Sequence, residues 1–172
     1  MAAGRSDPRS SLFMWSNNHN FRGRGAVEGR ISEDSVRYGV IHVTATGLIV
    51  RGARVLLGKR ASTVRFAGMW DAFGGHLVPC EEPSTALARE LREELGIEVS
   101  RTRFLGIYED LDPTSKDLFR HYLFLVTRWV GEPRIANDEH SEIRWFTAKE
   151  VANLNVAASL REAVGRLLPT KA

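Results

Sequence analysis

Apolar and polar residues fall into a regular order from Tyr38 onward. The run "YGVIHVTATGLIV" is rich in β-branched and apolar residues and predicts a strand. Arg51-Gly52 reads as a turn and "ARVLLGKR" as the returning strand. "MWDAF" predicts a short strand that ends at Gly74-Gly75. The period then changes from two to 3.6. Pro83 suits an early helical position, Leu87, Leu91 and Leu95 form one stripe, and Gly96 is the expected residue just past the helix end. "RFLGIYED" and "LFRHYLFLVTRWV" alternate as strands joined by a turn around Asp112-Pro113, and "EIRWF" is another short strand. Thr147 is placed to cap a following helix. A last amphipathic helix is expected from about Val156 to Leu168, stopped by Pro169. Strands with helices between and after them predict an α/β or α+β sandwich with a mixed sheet.

Residues 1–36 have a different texture. They are rich in Arg, Ser, Asn and Gly and show little periodicity, which predicts a flexible tail. Leu12, Phe13, Trp15 and Phe21 leave open a tail that docks on the domain or on a second copy in a homodimer. The domain proper is expected over 37–172.

Composition narrows the class without naming a chemistry. The chain has 172 residues, 43% hydrophobic and 26% charged, which fits one globular domain of ordinary size. No run approaches the roughly 18 apolar residues of a membrane span, and the apolar patch Leu12 to Trp15 is too short for an export signal. Cys80 is the single cysteine, which excludes an internal disulfide framework and fits a reducing compartment, so a cytoplasmic protein is expected. Net charge is +3, with 24 basic against 21 acidic residues. The first 37 residues carry +2 of it, so the domain is nearly neutral and nucleic acid is not expected as its main partner.

The helix from Pro83 to Leu95 breaks local rules. At 100° per residue, Glu90, Glu93 and Glu94 project from one arc beside the leucine stripe. Glu90 and Glu94 form a like-charge i,i+4 pair, and acids in the last turn oppose the helix dipole, at a few tenths of a kcal/mol or more each. A solvated acidic face, part-neutralised by Arg89 and Arg92, is one reading. The other is a site for a hard cation, Mg²⁺ before Mn²⁺ or Ca²⁺, because clustered carboxylates supply the oxygen ligands such ions take.

The residues before the helix tip the balance. Gly75, five residues, Glu81, seven residues and then Arg89-Glu90-Leu91-Arg92-Glu93-Glu94-Leu95-Gly96-Ile97 resembles, at every defined position, the Nudix box of the MutT-like hydrolases, G-x5-E-x7-R-E-U-x-E-E-x-G-U with U aliphatic. Seven positions have fixed identity; at roughly one in fifteen each, chance agreement is about one in 10⁸ per start site. The resemblance extends from about Tyr38 to Leu168 through the order of strands and helices. It implies an α/β/α sandwich in which the box is a loop–helix–loop. It further implies a Mg²⁺- or Mn²⁺-dependent hydrolase that splits a nucleoside diphosphate from a further group. By motif position, Glu90, Glu93 and Glu94 become metal ligands together with the Gly74 carbonyl. Arg89 becomes the arginine that orients the glutamates, and Glu81 its ion-pair partner. A further carboxylate is expected from "NDEHSEIRWF", with Glu139 the first candidate, then Glu142 and Asp138. Glu93 or Glu139 would accept the proton of the attacking water.

Substrate residues are read more loosely. Lys59 and Arg60 in "GKR" are candidates for phosphate contact or for a solvent-facing position. Trp70 and Phe73 are candidates to stack on a base or to pack in the core. His76, Phe119, His121 and Tyr122 are candidates to line the pocket. The absence of a Gly-rich segment followed by a proline, expected in ADP-sugar members, favours nucleoside triphosphates, oxidised ones included, cleaved to monophosphate and pyrophosphate. The alternatives are ADP-ribose or nucleotide-sugar hydrolysis, hydrolysis of RNA 5′ ends, and a non-catalytic nucleotide-sensing module. Cys80 lies at an undefined position of the box loop and is read as a small side chain, which argues against an isomerase of the same fold.

Overall fold

One strand supports the whole architecture. In a computed structural model that describes residues 39–112 and 114–168, strand β1 (Ile41–Arg51) meets three neighbours. It pairs antiparallel with β2 (Arg54–Arg60) near its C-terminal end, through Ile49↔Leu56. Along Thr44 to Gly47 it pairs antiparallel with β4 (Phe73–His76). Its other edge runs parallel to β6 (Leu118–Val130). Beyond β6 lies the antiparallel β5 (Glu98–Leu111). On the far side β2 carries β3 (Trp70–Asp71) and β7 (His140–Thr147). Among the described residues this makes one mixed seven-stranded sheet. The expected tail at 1–36 and the stop at Pro169 lie outside the described residues.

Alternation along the strands sends side chains to opposite faces, and helices cover both. On one face Ala45, Ile49, Leu56, Phe73, Phe124 and Val126 pack against Leu87, Leu91 and Leu95 of α1 (Pro83–Leu95). On the other, Leu48, Val55, Leu57, Leu123 and Phe146 pack against α2 (Ala148–Val151) and α3 (Ala158–Leu167). The result is the α/β/α sandwich. The leucine stripe of α1 is fully buried, and each such side chain contributes about 1.5–3 kcal/mol relative to exposure. The helix closes on Gly96, whose φ of 65° is left-handed and whose N–H donates to the carbonyl of Arg92. Thr147 caps α2 through a reciprocal capping box with Glu150.

Three expectations are corrected. "MWDAF" is two strands, because the chain crosses at Ala72 from the edge of β2, where Asp71 pairs with Gly58, to the edge of β1, where Phe73 pairs with Gly47. Strand β5 starts at Glu98, well before Arg103; register shifts between Val99 and Gly106 break the alternation that would have announced it. The last helix starts at Ala158, since Val156 is buried ahead of its first turn.

The seam between β2 and β7 leaves no spare room. A Cβ at Gly58 would lie 2.8 Å from both His140 Cγ and Phe73 Cε1. Gly58→Ala should therefore destabilise the protein by about 1–3 kcal/mol, the usual cost of overpacking, read as a lower midpoint in urea unfolding. An unchanged midpoint would show that the His140 ring moves aside freely.

Candidate active site

The end of β4 and the side of α1 meet with almost no intervening atoms. The φ of Gly74 is 142°, and a Cβ there would collide with the Ala45 carbonyl oxygen, so only glycine lets β4 lie this close to β1. Its N–H donates to Glu94 Oε2 at 2.9 Å. A Cβ on Gly75 would stand 2.5 Å from Glu90 Cδ. Gly75 thus leaves the space that the Glu90 carboxylate fills, and Gly74 lets its own N–H reach Glu94.

Arg89 ties this junction to the loop before the helix. Its Nε and Nη2 donate to the two oxygens of Glu81, both at 3.0 Å, and Nη2 also donates to the His76 carbonyl at 3.0 Å. Its Nη1 donates to Glu90 Oε1 at 2.6 Å and reaches Glu93 Oε2 at 3.5 Å. The Arg89 guanidinium, followed by the Val78 N–H, holds the Glu81 carboxyl below the usual carboxylate range. Bidentate charge-assisted bonds of this kind are the strong ones, so the loop is pinned although it has no regular structure.

The three helix carboxylates differ sharply in environment. Glu93 is 54% exposed and Glu90 is 12% exposed, while Glu94 is only 1% exposed. Glu94 Oε1 has no hydrogen-bond partner among the described residues. Burial pushes its pKa up to about 9, Glu139 and Glu90 push the same way, and the Gly74 N–H pulls back. An orphaned buried carboxylate oxygen, with the Glu90 and Glu139 carboxylates acting on it, is what a hard divalent cation would satisfy. Among the described residues, no three acidic, histidine or cysteine side chains converge on one point as they stand. Drawing them together requires Glu93 to swing in from solvent and Glu90 to share itself between Arg89 and the ion.

From this junction a cleft of about 540 Å³ runs across the sheet. Gly74, Gly75, Glu90, Arg60 and Glu139 line one part of it, and Trp70, Asp71, Asp110, His121 and Ser159 another. Glu139 accepts from Arg60 Nη1 at 3.1 Å, and its backbone N–H donates to Asn137 Oδ1. Glu142 and Asp138 are exposed and line no part of the cleft; Glu142 instead stands across from Lys59 in the β2–β7 pairing.

The sequence candidates divide by strand parity. Arg60, Trp70, His76 and Phe119 line the cleft, as does His121. Lys59 does not, although it shares the parity of Val55 and Leu57; a register shift between Lys59 and Arg60 interrupts the alternation, and Arg60 lines the cleft instead. Phe73 does not, being fully buried in the core beneath α1 and against the His140 ring. Tyr122 does not, because period two turns it to the α1 face, beside Phe104. Phe73 and Tyr122 are corrected to packing positions, and Lys59 stands off the cleft. Cys80 is exposed in the box loop at a left-handed φ of 65° and lines no part of the cleft.

Sequence reasoning missed Asp71, Asp110 and Ser159, which line the cleft from β3, β5 and α3, and His140, which packs against Phe73. His121 Nδ1 lies 2.7 Å from Thr44 Oγ1, and burial lowers its pKa. Burial, with Arg60 nearby, lowers that of His140 to about 4, so this ring is neutral where it packs on Phe73.

Comparison with known proteins gives the same picture throughout. Residues 41–167 match the NUDIX domain. The chain is 39% identical over 118 residues to the CTP pyrophosphohydrolase of Escherichia coli K12, covering 69% of this chain and 84% of that protein. It is 31% identical over 96 residues to the 8-oxo-dGTP diphosphatase of Proteus vulgaris, covering 54% and 80%. A crystal structure of a MutT NUDIX hydrolase from Burkholderia pseudomallei superposes with a TM-score of 0.67 at 30% identity, covering 72% of this chain and 95% of that one.

The raised pKa of Glu94 has a consequence for stability in the absence of metal. The unfolded chain loses this proton near 4.5, whereas the folded protein keeps it to about 9. Between those values the folded state binds more protons, so this group's contribution to stability falls as pH rises through that window. With EDTA present, Glu94→Gln should remove this loss. The variant's melting temperature should exceed that of the wild type by a margin that widens from pH 4.5 to about 9. A constant difference across the window would mean that Glu94 is ionised in the fold.

Proposed function

Because the chain belongs to the Nudix family, we propose that it is a divalent-metal-dependent pyrophosphohydrolase that cleaves nucleoside triphosphates to monophosphate and pyrophosphate. The observation that carries this reading is the unpartnered buried oxygen of Glu94, whose other oxygen is held by Gly74, a residue that lines a cleft large enough for a nucleotide. The relatives named for 8-oxo-dGTP and for CTP support the triphosphate class. The complete set of box carboxylates speaks against a sensor that has lost them.

Glu90, Glu93 and Glu94, with the Gly74 carbonyl and Glu139, would hold Mg²⁺ or Mn²⁺. When bound, the cation supplies charge neutralisation for the phosphate chain and acidifies a water. The protein's own groups do the remainder. Arg89 keeps Glu90 and the loop at Glu81 in place, so that the helix carboxylates meet a prearranged backbone. Arg60, paired with Glu139 in the free protein, is positioned to exchange that partner for a phosphate oxygen, releasing Glu139. Glu139 or Glu93 accepts the proton of the attacking water, and in-line displacement at one phosphorus frees the monophosphate. Trp70 and Phe119 border the region where the base would lie, and His76 lies nearer the box.

We read the catalytic unit as residues 37–172, the nucleotide as its small-molecule partner and the cytoplasm as its location. No helix among the described residues is long and apolar enough to cross a membrane, and Cys80, the only cysteine, is unpaired.

A nucleotide panel with product identification tests the reading. Nucleoside triphosphates should release pyrophosphate in the presence of Mg²⁺ and not in EDTA. Glu93→Gln and Glu94→Gln should each lower kcat by roughly 10²–10⁴-fold while leaving the cooperative unfolding transition intact. Turnover of ADP-ribose without turnover of any triphosphate would transfer the activity to the nucleotide-sugar class. Tight binding without turnover would point to a sensor.

A further inference from the structure

The part of the cleft away from the box has a lopsided hydrogen-bonding inventory. Asp110 Oδ2 accepts from Ser159 Oγ at 2.7 Å and lies 3.7 Å from His121 Nε2. Asp71 Oδ1 accepts from the Ala72 N–H at 2.8 Å. Each carboxylate therefore has a second oxygen without a partner among the described residues, and both side chains line the cleft. Several nearby side-chain donors are already engaged: the Ser159 hydroxyl by Asp110, Thr44 Oγ1 by His121 Nδ1, and Arg60 by Glu139. Burial raises the pKa of Asp71 to about 6, and Asp110 pushes it the same way, as unbalanced acceptors should. The neighbouring surface is apolar, from Leu123, Leu160 and Ala163.

A ligand edge that fits such a site must bring N–H donors. Bases with an exocyclic amino group, as in cytosine, adenine and guanine, present two N–H bonds on one nitrogen. Uracil and thymine present a single ring N–H flanked by two carbonyl oxygens, so a carbonyl would face a carboxylate oxygen at close range with no donor between them. A site built on polar partners rejects the analogue that cannot supply them, because its own buried groups are then left unpaired.

We propose that Asp110, seconded by Asp71, sets base specificity by accepting from the exocyclic amino group of the nucleobase and turning away uracil and thymine. This assignment rests on the nucleotide reading of the cleft, and it makes Asp110 a residue that touches substrate from β5, outside the box. Ser159 acts through Asp110 as a positioning residue, holding the carboxylate so that its free oxygen faces the cleft.

Calorimetric titration with nucleoside monophosphates tests the proposal without depending on turnover. CMP, AMP and GMP should bind the full chain, with Mg²⁺ present, about tenfold or more tighter than UMP and TMP. Asp110→Asn, whose amide can donate to a carbonyl, should bring that ratio towards one, chiefly by strengthening UMP binding, and Asp71→Asn should do so in part. If Asp110→Asn fails to fold, Asp71→Asn and Ser159→Ala carry the test; each should reduce the ratio severalfold. Equal affinity for UMP and CMP in the wild type, or an unchanged ratio in folded variants, would overturn the assignment. Hydrolysis of the triphosphates, followed in parallel, separates the two readings. Discrimination among monophosphates without triphosphate turnover removes the pyrophosphohydrolase reading and keeps this one; turnover without discrimination does the reverse.

Discussion

Everything at the site depends on a carboxylate carried into the protein interior by the helix that also supplies much of the core. Leu87, Leu91 and Leu95 draw α1 onto the sheet, and Glu94, in register with that stripe, is dragged under with them. A lone buried carboxylate is costly to ionise, so the fold is left with an unmet demand for positive charge at one point. Bare backbone at Gly74 and Gly75 is the other half of the constraint, since side chains there would occupy the volume of Ala45 and Glu90. Hydrophobic burial thus provides the free energy that holds an unfavourable polar group in place, the expected relation between a core and a functional site.

Elements whose signals are local were readable in advance. Helix α1 spans Pro83–Leu95 as predicted because Pro83, the leucine stripe and Gly96 each mark a boundary or face within the segment itself. Strand β6 likewise starts and ends where its apolar run does. What failed depends on partners elsewhere in the chain. The split at Ala72 reflects a change of neighbouring strand, and the early start of β5 is hidden by its irregular pairing with β6. Parity is the same kind of information: whether Lys59 or Arg60, Phe119 or Tyr122, faces the cleft is decided by register, which no single strand declares.

The site was legible to a similar depth. Spacing within one helix and its preceding loop points to Glu81, Arg89, Glu90, Glu93 and Glu94, because those residues act through a contiguous stretch. The graded exposure from Glu93 to Glu94 was not legible, since it depends on how α1 is rotated against the sheet. Asp110 and Ser159 are 49 positions apart and meet only through the packing of α3 beside β5, so no pattern along the chain joins them.

The cleft is lined by two sets of side chains. The end to which we assign the chemistry comes from β4 and α1. The end to which we assign the base comes from β3, the far part of β5 and the first turn of α3. The two stretches are joined at the backbone, since only Ala72 separates β3 from β4 and β5 follows closely on α1, but the side chains that line the two parts are different ones. Substitution of a lining side chain in one part can therefore leave the lining of the other in place. Such a division lets an ancestral hydrolase diversify its choice of nucleotide while its reaction stays constant, and lets an engineer do the same by grafting only the base-facing segments.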